Sequence, residues 1–359
     1  MYSRTIARSS LALLLLLSAA AAARADEIVL FKGEPRTGVT VKEETFEGVV
    51  YVQKGIPQPQ NYPAAKVRSV VYEKKSTYYG IALDALDARD FAKAGELFKT
   101  AAANAKNWEK QYGLFQYAEC LRAQGKAKID EAIKAYNDLL TEVPKTKFFG
   151  DCYERMAMCQ RAQGKVEDAK KTYEQLKGQV TLKNLGARWE LLADFRLLEL
   201  SEKSDANAAL TGYDELQKKA AEFPDVANMA RLRVGYVMIQ KQQIDKARSY
   251  FNDIIKDRQA SDVQTVAGAY NGLGTTFVSG KKDPTLDDFD NALFPFFRTI
   301  FKYGDELGQS ELVAEALYWG GRCLEGRGKE NDVRRARQLY DRCKKEYPTS
   351  EWAKLAAQR

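Results

Sequence analysis

The chain has 359 residues, with 56 Lys and Arg against 49 Asp and Glu, 45% hydrophobic residues, 9 Pro, 5 Cys and no His. It is long enough for more than one domain or one elongated array, and too rich in hydrophobic residues for a disordered chain. Without histidine, the Ser-His-Asp and Cys-His nucleophile systems, His-ligated metal sites and imidazole proton shuttles are excluded, which leaves an enzyme only carboxylate, Lys, Tyr or Cys chemistry.

The first 25 residues read as an address. Arg4 and Arg8 give a positive start, Leu11 to Leu17 and the alanines after them an apolar core, and Ala23-Arg24-Ala25 a small-x-small cleavage site. A secretory signal peptide is expected, with the mature chain starting at Asp26. The apolar run from Leu11 to Ala23 is 13 residues long, short of the roughly 20 that span a bilayer. No Cys lies near the cleavage point, so neither a lipid anchor nor an integral membrane segment is expected after cleavage. The expected location is periplasmic or secreted, and the lack of any Asn-x-Ser/Thr acceptor favours a bacterial envelope. Removing Arg4, Arg8 and Arg24 lowers the net charge from +7 to +4. Such a near balance does not support a nucleic-acid partner.

Residues 26–76 read as a small all-β domain. Ile28 to Phe31 is an apolar run, and Val39, Val41 and Val49 to Val52 recur between turns at Gly38, Gly48 and Gly55. Pro57, Pro59 and Pro63 are expected to break the chain before a last run from Val67 to Tyr72. Four or five short antiparallel strands result, forming a small barrel or curled sheet.

From Thr77 to Arg359 the period becomes helical. Ala118-Glu119-Cys120-Leu121-Arg122-Ala123-Gln124-Gly125-Lys126 returns 39 residues later as Ala157-Met158-Cys159-Gln160-Arg161-Ala162-Gln163-Gly164-Lys165, and more weakly around Cys323, ending in Gly328-Lys329. Each copy closes one helix at a glycine and opens a second. The second helices repeat an Ala with an aromatic four residues on: Ala94/Phe98, Ala132/Tyr136, Ala169/Tyr173, Ala209/Tyr213, Ala247/Phe251, Ala292/Phe296 and Ala336/Tyr340. Their steps of 38, 37, 40, 38, 45 and 44 residues carry the signal. Ala lets two helices approach, and the aromatic one turn later fills the gap to the next pair.

This pattern resembles the tetratricopeptide repeat family, whose helix–turn–helix unit is about 34 residues. Tyr153, Met156-Ala157 and Gly164 with Ala169 and Tyr173 form one match. Val234-Gly235 with Ala247 and Phe251 form another, and Tyr270, Leu273-Gly274 and Phe277 a third first helix. Pro144 and Pro348 stand where the family often ends a helix. The resemblance covers residues 77–359 and implies a mainly α chain, a right-handed αα-solenoid of six to seven units, with another αα-solenoid type as the alternative. The chain departs from the family in its longer steps and in the insertion Lys281 to Pro284, with Pro295 expected to start or kink a helix.

Other constellations read as structural. Cys120, Cys159 and Cys323 occupy equivalent places, about a helix diameter apart in stacked units, so all five cysteines are expected to be small buried side chains and no metal site is expected. Gly272-Leu273-Gly274 lacks a preceding strand, and Ser279-Gly280-Lys281-Lys282 reads as a turn. The pairs Asp287-Asp288 and Glu43-Glu44 read as solvated turns or helix starts. Arg334-Arg335-Ala336-Arg337 reads as an exposed face, and Tyr318-Trp319, Phe296-Phe297 and Trp189 as core.

No catalytic residue and no cofactor emerge. In solenoids of this kind the first helices line a concave surface that binds extended peptides or a partner's helix. Its expected lining is Glu119, Arg122, Glu154, Met158, Arg161, Tyr236, Ile239 and Asn271, with Arg122 and Arg161 as a guanidinium ladder for carboxylates, or else paired with Glu119 and Glu154. The expectation is a non-enzymatic exported scaffold that binds a protein or peptide partner in assembly of a cell-envelope complex. The alternatives are a self-associating structural protein and an enzyme acting on an envelope polymer by carboxylate or Tyr chemistry.

Overall fold

The computed structural model describes residues 25–30, 33–106, 108–257, 262–307, 310–348 and 350–359. The expected signal peptide, apart from its last residue, lies outside the described residues. The described residues form two compact units: one comprises those up to Lys42 with Val49–Lys74, the other Glu43–Gly48 with those from Lys75 to Arg359.

The apolar alternation folds into β1 (Asp26–Leu30), β2 (Arg36–Glu44), β3 (Gly48–Gln53), β4 (Ile56–Pro63) and β5 (Val67–Val71), all within the first unit except the last two residues of β2 and the first of β3. They form one sheet in the order β4-β3-β2-β1-β5, with β1 antiparallel to both β2 and β5. Ile28, Val39, Val49, Tyr51, Val70 and Tyr72 are its buried side chains. The three prolines do not break the chain. They sit within β4, an edge strand, where a missing N–H leaves no ladder bond unmade on the open side.

The second unit is helical. Its first helices are α1 (Thr77–Asp87), α3 (Trp108–Ala123), α5 (Phe149–Ala162), α7 (Ala187–Ser201), α9 (Pro224–Gln240), α11 (Val263–Val278) and α14 (Glu311–Arg327). They pair in turn with α2 (Phe91–Asn104), α4 (Ile129–Glu142), α6 (Val166–Lys183), α8 (Ala206–Lys219), α10 (Ile244–Lys256), α12 (Leu286–Lys302) and α15 (Asp332–Glu346). A short α13 (Gly304–Leu307) precedes the seventh pair, and α16 (Glu351–Ala356) packs on its two helices.

Every Ala and aromatic of the repeating pair lies on a second helix and is buried, the most exposed being Tyr340 at 3%. The aromatic wedges between two first helices. A Cβ on Gly235 of α9 would lie 2.5 Å from the Phe251 ring, and one on Gly272 of α11 would lie 2.2 Å from it. Only glycine leaves room for that ring on both sides, so these residues set the spacing between neighbouring pairs. Gly125, Gly164 and Gly328 close α3, α5 and α14 with positive φ, as the sequence implies, whereas Arg89 and Gln242 take left-handed conformations after α1 and α9 without being glycine. Pro295 lies inside α12, which starts instead at a capping box of Thr285 and Asp288.

All five cysteines are buried and free. Burial pushes the Cys120 and Cys323 thiols up to about 12 and Cys159 to about 11, the environment of inert packing residues.

One expectation is overturned in this unit. Glu44 is not in a solvated turn. It is 6% exposed and accepts hydrogen bonds from Lys147 Nζ at 2.7 Å and Tyr112 Oη at 3.0 Å. Gln111 Nε2 donates to the Glu44 carbonyl at 2.9 Å, and Thr146 Oγ1 donates to Gln111 Oε1 at 2.9 Å. The cation and the donors compensate a carboxylate that burial alone would disfavour.

Candidate functional site

The most organised polar feature of the helical unit is a row of charges on the first helices. It begins on α3, where Glu119 receives Arg122 Nη2 at 2.8 Å and the Tyr136 hydroxyl, and has Arg155 Nε of α5 at 3.4 Å. Burial alone would raise the Glu119 carboxyl, but Arg122 and Arg155 hold it below its ordinary value.

The row continues between α5 and α7. Arg196 donates to Glu154 at 2.7 Å and to Glu199 at 2.7 Å, and Arg161 lies 3.5 Å from the same Glu199. Burial opposes the charge on Glu199, yet Arg196, Arg233 and Arg161 together lower its carboxyl. From the end of α7, Glu202 receives Arg233 of α9 through Nε at 3.0 Å and through Nη2, as well as Gln240 and the Tyr213 hydroxyl at 3.0 Å. The row ends where Tyr236 of α9 and Asn271 of α11 both donate to Glu315 of α14, the latter at 2.9 Å. Here, among the described residues, no cation is in hydrogen-bond contact, and burial pushes the Glu315 carboxyl up to about 7.

Seven of the eight expected lining residues belong to this row or touch it. Glu119, Arg122, Glu154, Arg161, Tyr236 and Asn271 are members, and Met158 lies against Arg155 at 3.4 Å. Two are corrected. Ile239 is 6% exposed and packs in the core with Phe251, and Asn271 is fully buried. Each first helix is covered by its own partner and by a neighbouring pair, so its open stripe is narrow and a small register error turns surface into core.

Arg122 and Arg161 do not form a free ladder for outside carboxylates. Each is committed to a carboxylate of this chain, Arg122 to Glu119 and Arg161 to Glu199, while Glu154 goes to Arg196. Their side chains remain 33% and 39% exposed, the most accessible guanidinium edges of the row.

Sequence reasoning missed Arg155, Arg196, Glu199, Glu202, Arg233 and Glu315. One signal was present. Arg196, Glu199 and Glu202 recur at steps of three on one helix, the spacing that aligns side chains on one face. Among the described residues, no group of three or more His, Cys, Asp or Glu could hold a metal ion, and no helix is long and apolar enough to cross a membrane.

Residues 112–146, 151–179 and 315–350 match the family model described as tetratricopeptide repeat. These are the second, third and seventh helix pairs. No curated protein matches the chain. Among solved structures, a tetratricopeptide repeat protein from Parabacteroides merdae is 18% identical, with 78% of this chain and 97% of that one covered and a TM-score of 0.43. A Rap protein complexed with competence and sporulation factor is 14% identical, with 78% of each chain covered and a TM-score of 0.47. PilW, a type IV pilus biogenesis factor, is 16% identical over 69% of this chain and 98% of its own, with a TM-score of 0.37. At these identities and scores, none of the three says what this chain binds.

Proposed function

We propose that this chain is a non-enzymatic interaction scaffold, exported to a bacterial cell envelope, that holds a protein or peptide partner along its first helices. The observation that carries the reading is that Arg122 and Arg161, each already bound to a carboxylate of this chain, keep 33% and 39% of their side chains exposed, the largest share in a row of internally paired charges. A scaffold of stacked helix pairs presents side chains at fixed spacing, and an extended partner can engage several at once. A partner carboxylate would displace Glu199 from Arg161, whose 3.5 Å contact is the loosest carboxylate contact of the row. Such binding weakens as salt rises, because exposed charges are screened. Export is supported by Arg4, Arg8, the Leu11 to Leu17 run and Ala23-Arg24-Ala25.

The test is a crosslinking pull-down from envelope fractions, comparing the intact chain with an Arg122→Glu/Arg161→Glu variant. Loss of a captured partner on charge reversal is the expected result. An unchanged set of partners overturns the assignment of the first-helix face, and an empty capture with the intact chain overturns the scaffold reading itself.

A further inference from the structure

The seven second helices share one register, set by the repeating Ala. Counting from the repeating Ala, the residues two, five and nine positions on lie within about 60° of one another on the outer face of a second helix. At the first of these positions the other pairs carry Glu96, Lys134, Lys171, Thr211, Ser249 and Gln338, all exposed. At the second they carry Lys99, Asn137, Glu174, Asp214, Asn252 and Asp341. At the third they carry Ala103, Thr141, Gly178, Lys218, Lys256 and Lys345, again all exposed. In α12 alone the three are Phe294, Phe297 and Phe301. Six sister helices make the same fold without an aromatic at any of these places; Phe297 packs in part against the core, as the sequence implies, but packing does not explain the exposed Phe294 and Phe301.

The stripe is open to solvent at both ends. Phe294 is 59% and Phe301 is 70% exposed, and Phe297 bridges them, edge-to-face with Phe301 at 5.5 Å. Its surroundings are basic. The Arg298 guanidinium lies 4.8 Å from the Phe294 ring, and Lys302 is exposed one turn on. Phe297 and Leu339 of α15 both approach Gly320 of α14, at 3.4 and 3.3 Å from a Cβ built there, so α12 and α15 pack on the same helix, and α15 exposes Arg334 and Arg337.

We propose that the Phe294–Phe297–Phe301 stripe of α12 is a second docking surface, and that its occupant is a short acidic amphipathic segment of a partner protein. The proposal rests on the interaction-scaffold reading and adds a contact away from the first helices. Three apolar anchors over about two helical turns match the i, i+3, i+7 face of one bound helix. The flanking arginines and lysine select acidic residues on its edges, and they oppose a second copy of this same basic face. An anionic bilayer fits less well, because a broad flat surface over the stripe would also meet the exposed Asp287 before it and Asp305 and Glu306 after it, whereas a helix whose acidic edges lie beside Arg298 and Lys302 contacts only the stretch from Phe294 to Lys302.

The probe is a fluorescein-labelled 16-residue designed helix with Leu at i, i+3 and i+7 and Glu on its flanks, titrated by anisotropy into the full chain. Controls are the same peptide with Lys for Glu and a scramble of equal composition. Saturable binding of the Glu peptide at least tenfold tighter than either control is expected. It should fall at least tenfold in Phe294→Ser/Phe301→Ser and several-fold in Arg298→Glu/Lys302→Glu. Both pairs are surface changes, and an unchanged thermal midpoint confirms folding. Equal binding of the Lys peptide, or binding indifferent to the Phe pair, overturns the proposal. So does binding to phosphatidylglycerol vesicles with no peptide preference, or a dimer that the Phe pair abolishes. If the peptide fails while the envelope pull-down still captures a partner, the stripe assignment falls and the scaffold reading stands.

Discussion

Tyr213 donates its hydroxyl to Glu202 at 3.0 Å, whereas Tyr173, the same residue of the preceding pair, has a buried hydroxyl without a hydrogen-bond partner. The difference is legible in the repeat. Tyr136 finds Glu119, but one unit later the place of Glu119 is taken by Met158. The seventh pair reverses the charges, with Arg322 and Glu325 where the second has Glu119 and Arg122, and Tyr340 there donates to Glu325 at 2.8 Å. A tyrosine at this position is therefore compensated only where a carboxylate stands within reach.

The first prediction follows from that contrast. Tyr213→Phe leaves Glu202 short of a donor in a site only 3% exposed, and should cost about 1–3 kcal/mol. Tyr173→Phe removes an orphaned hydroxyl and should be neutral or stabilising by up to about 1 kcal/mol. Urea unfolding of both variants beside the wild type checks the opposite signs, and equal losses would show the hydroxyl of Tyr173 to be satisfied.

A second prediction concerns the glycines around Phe251. In an unhindered helix, Gly→Ala stabilises by roughly 0.5–1 kcal/mol. Gly178 of α6 has nothing within 4 Å of a Cβ, and its replacement by Ala should show that gain. Gly272→Ala should instead lose about 1–3 kcal/mol, because the ring it would strike has Gly235 on its other side. Thermal midpoints of the two variants should move in opposite directions.

The acidic groups predict a pH dependence. Burial raises Glu315 to about 7, so the folded chain binds that proton more tightly than the unfolded one. Its contribution to stability is full below the ordinary glutamate range and is lost as pH rises through about 7. Asp151, pushed to about 6 by burial and Glu154, acts in the same direction. Glu199, held low by Arg196, acts oppositely and only at lower pH, its contribution being lost as pH falls through its depressed value. Between pH 5 and 7.5, stability attributable to Glu315 should fall by at most about 3 kcal/mol. Unfolding curves of Glu315→Gln should show a flatter profile across that window, and an identical profile would rule Glu315 out as its source.

The charged row predicts unequal costs for its arginines. Arg196→Ala strands Glu154 and leaves Glu199 only the looser Arg161 contact, side chains just 12% and 15% exposed, and should cost about 3–5 kcal/mol. Arg161→Ala removes a looser, more exposed contact and should cost less than about 1 kcal/mol. Amide hydrogen exchange in α5 and α7 would show the first loss and not the second.

The framework was legible in the sequence because packing dictates it. The Ala and aromatic of each second helix must meet two first helices, so their spacing survives where little else does. The turns after α1 and α9 were not legible, because Arg89 and Gln242 occupy conformations that glycine would have announced. The charged row was half legible. Arg122 returns as Arg161 one unit later, but α7 ends without a marker glycine, and its Arg196, Glu199 and Glu202 look in sequence like any solvated helix face. Asn271 illustrates the opposite error: a polar residue read as surface that is held in the core by the Leu312 carbonyl and Glu315.

The central claim, that the first helices hold a partner, is tested most directly by hydrogen exchange on the purified chain with and without the protein recovered by crosslinking. The account predicts added protection concentrated in α3, α5 and α7, around Arg122 and Arg161, and its loss in the Arg122→Glu/Arg161→Glu variant. Protection that leaves every first helix unchanged would contradict it.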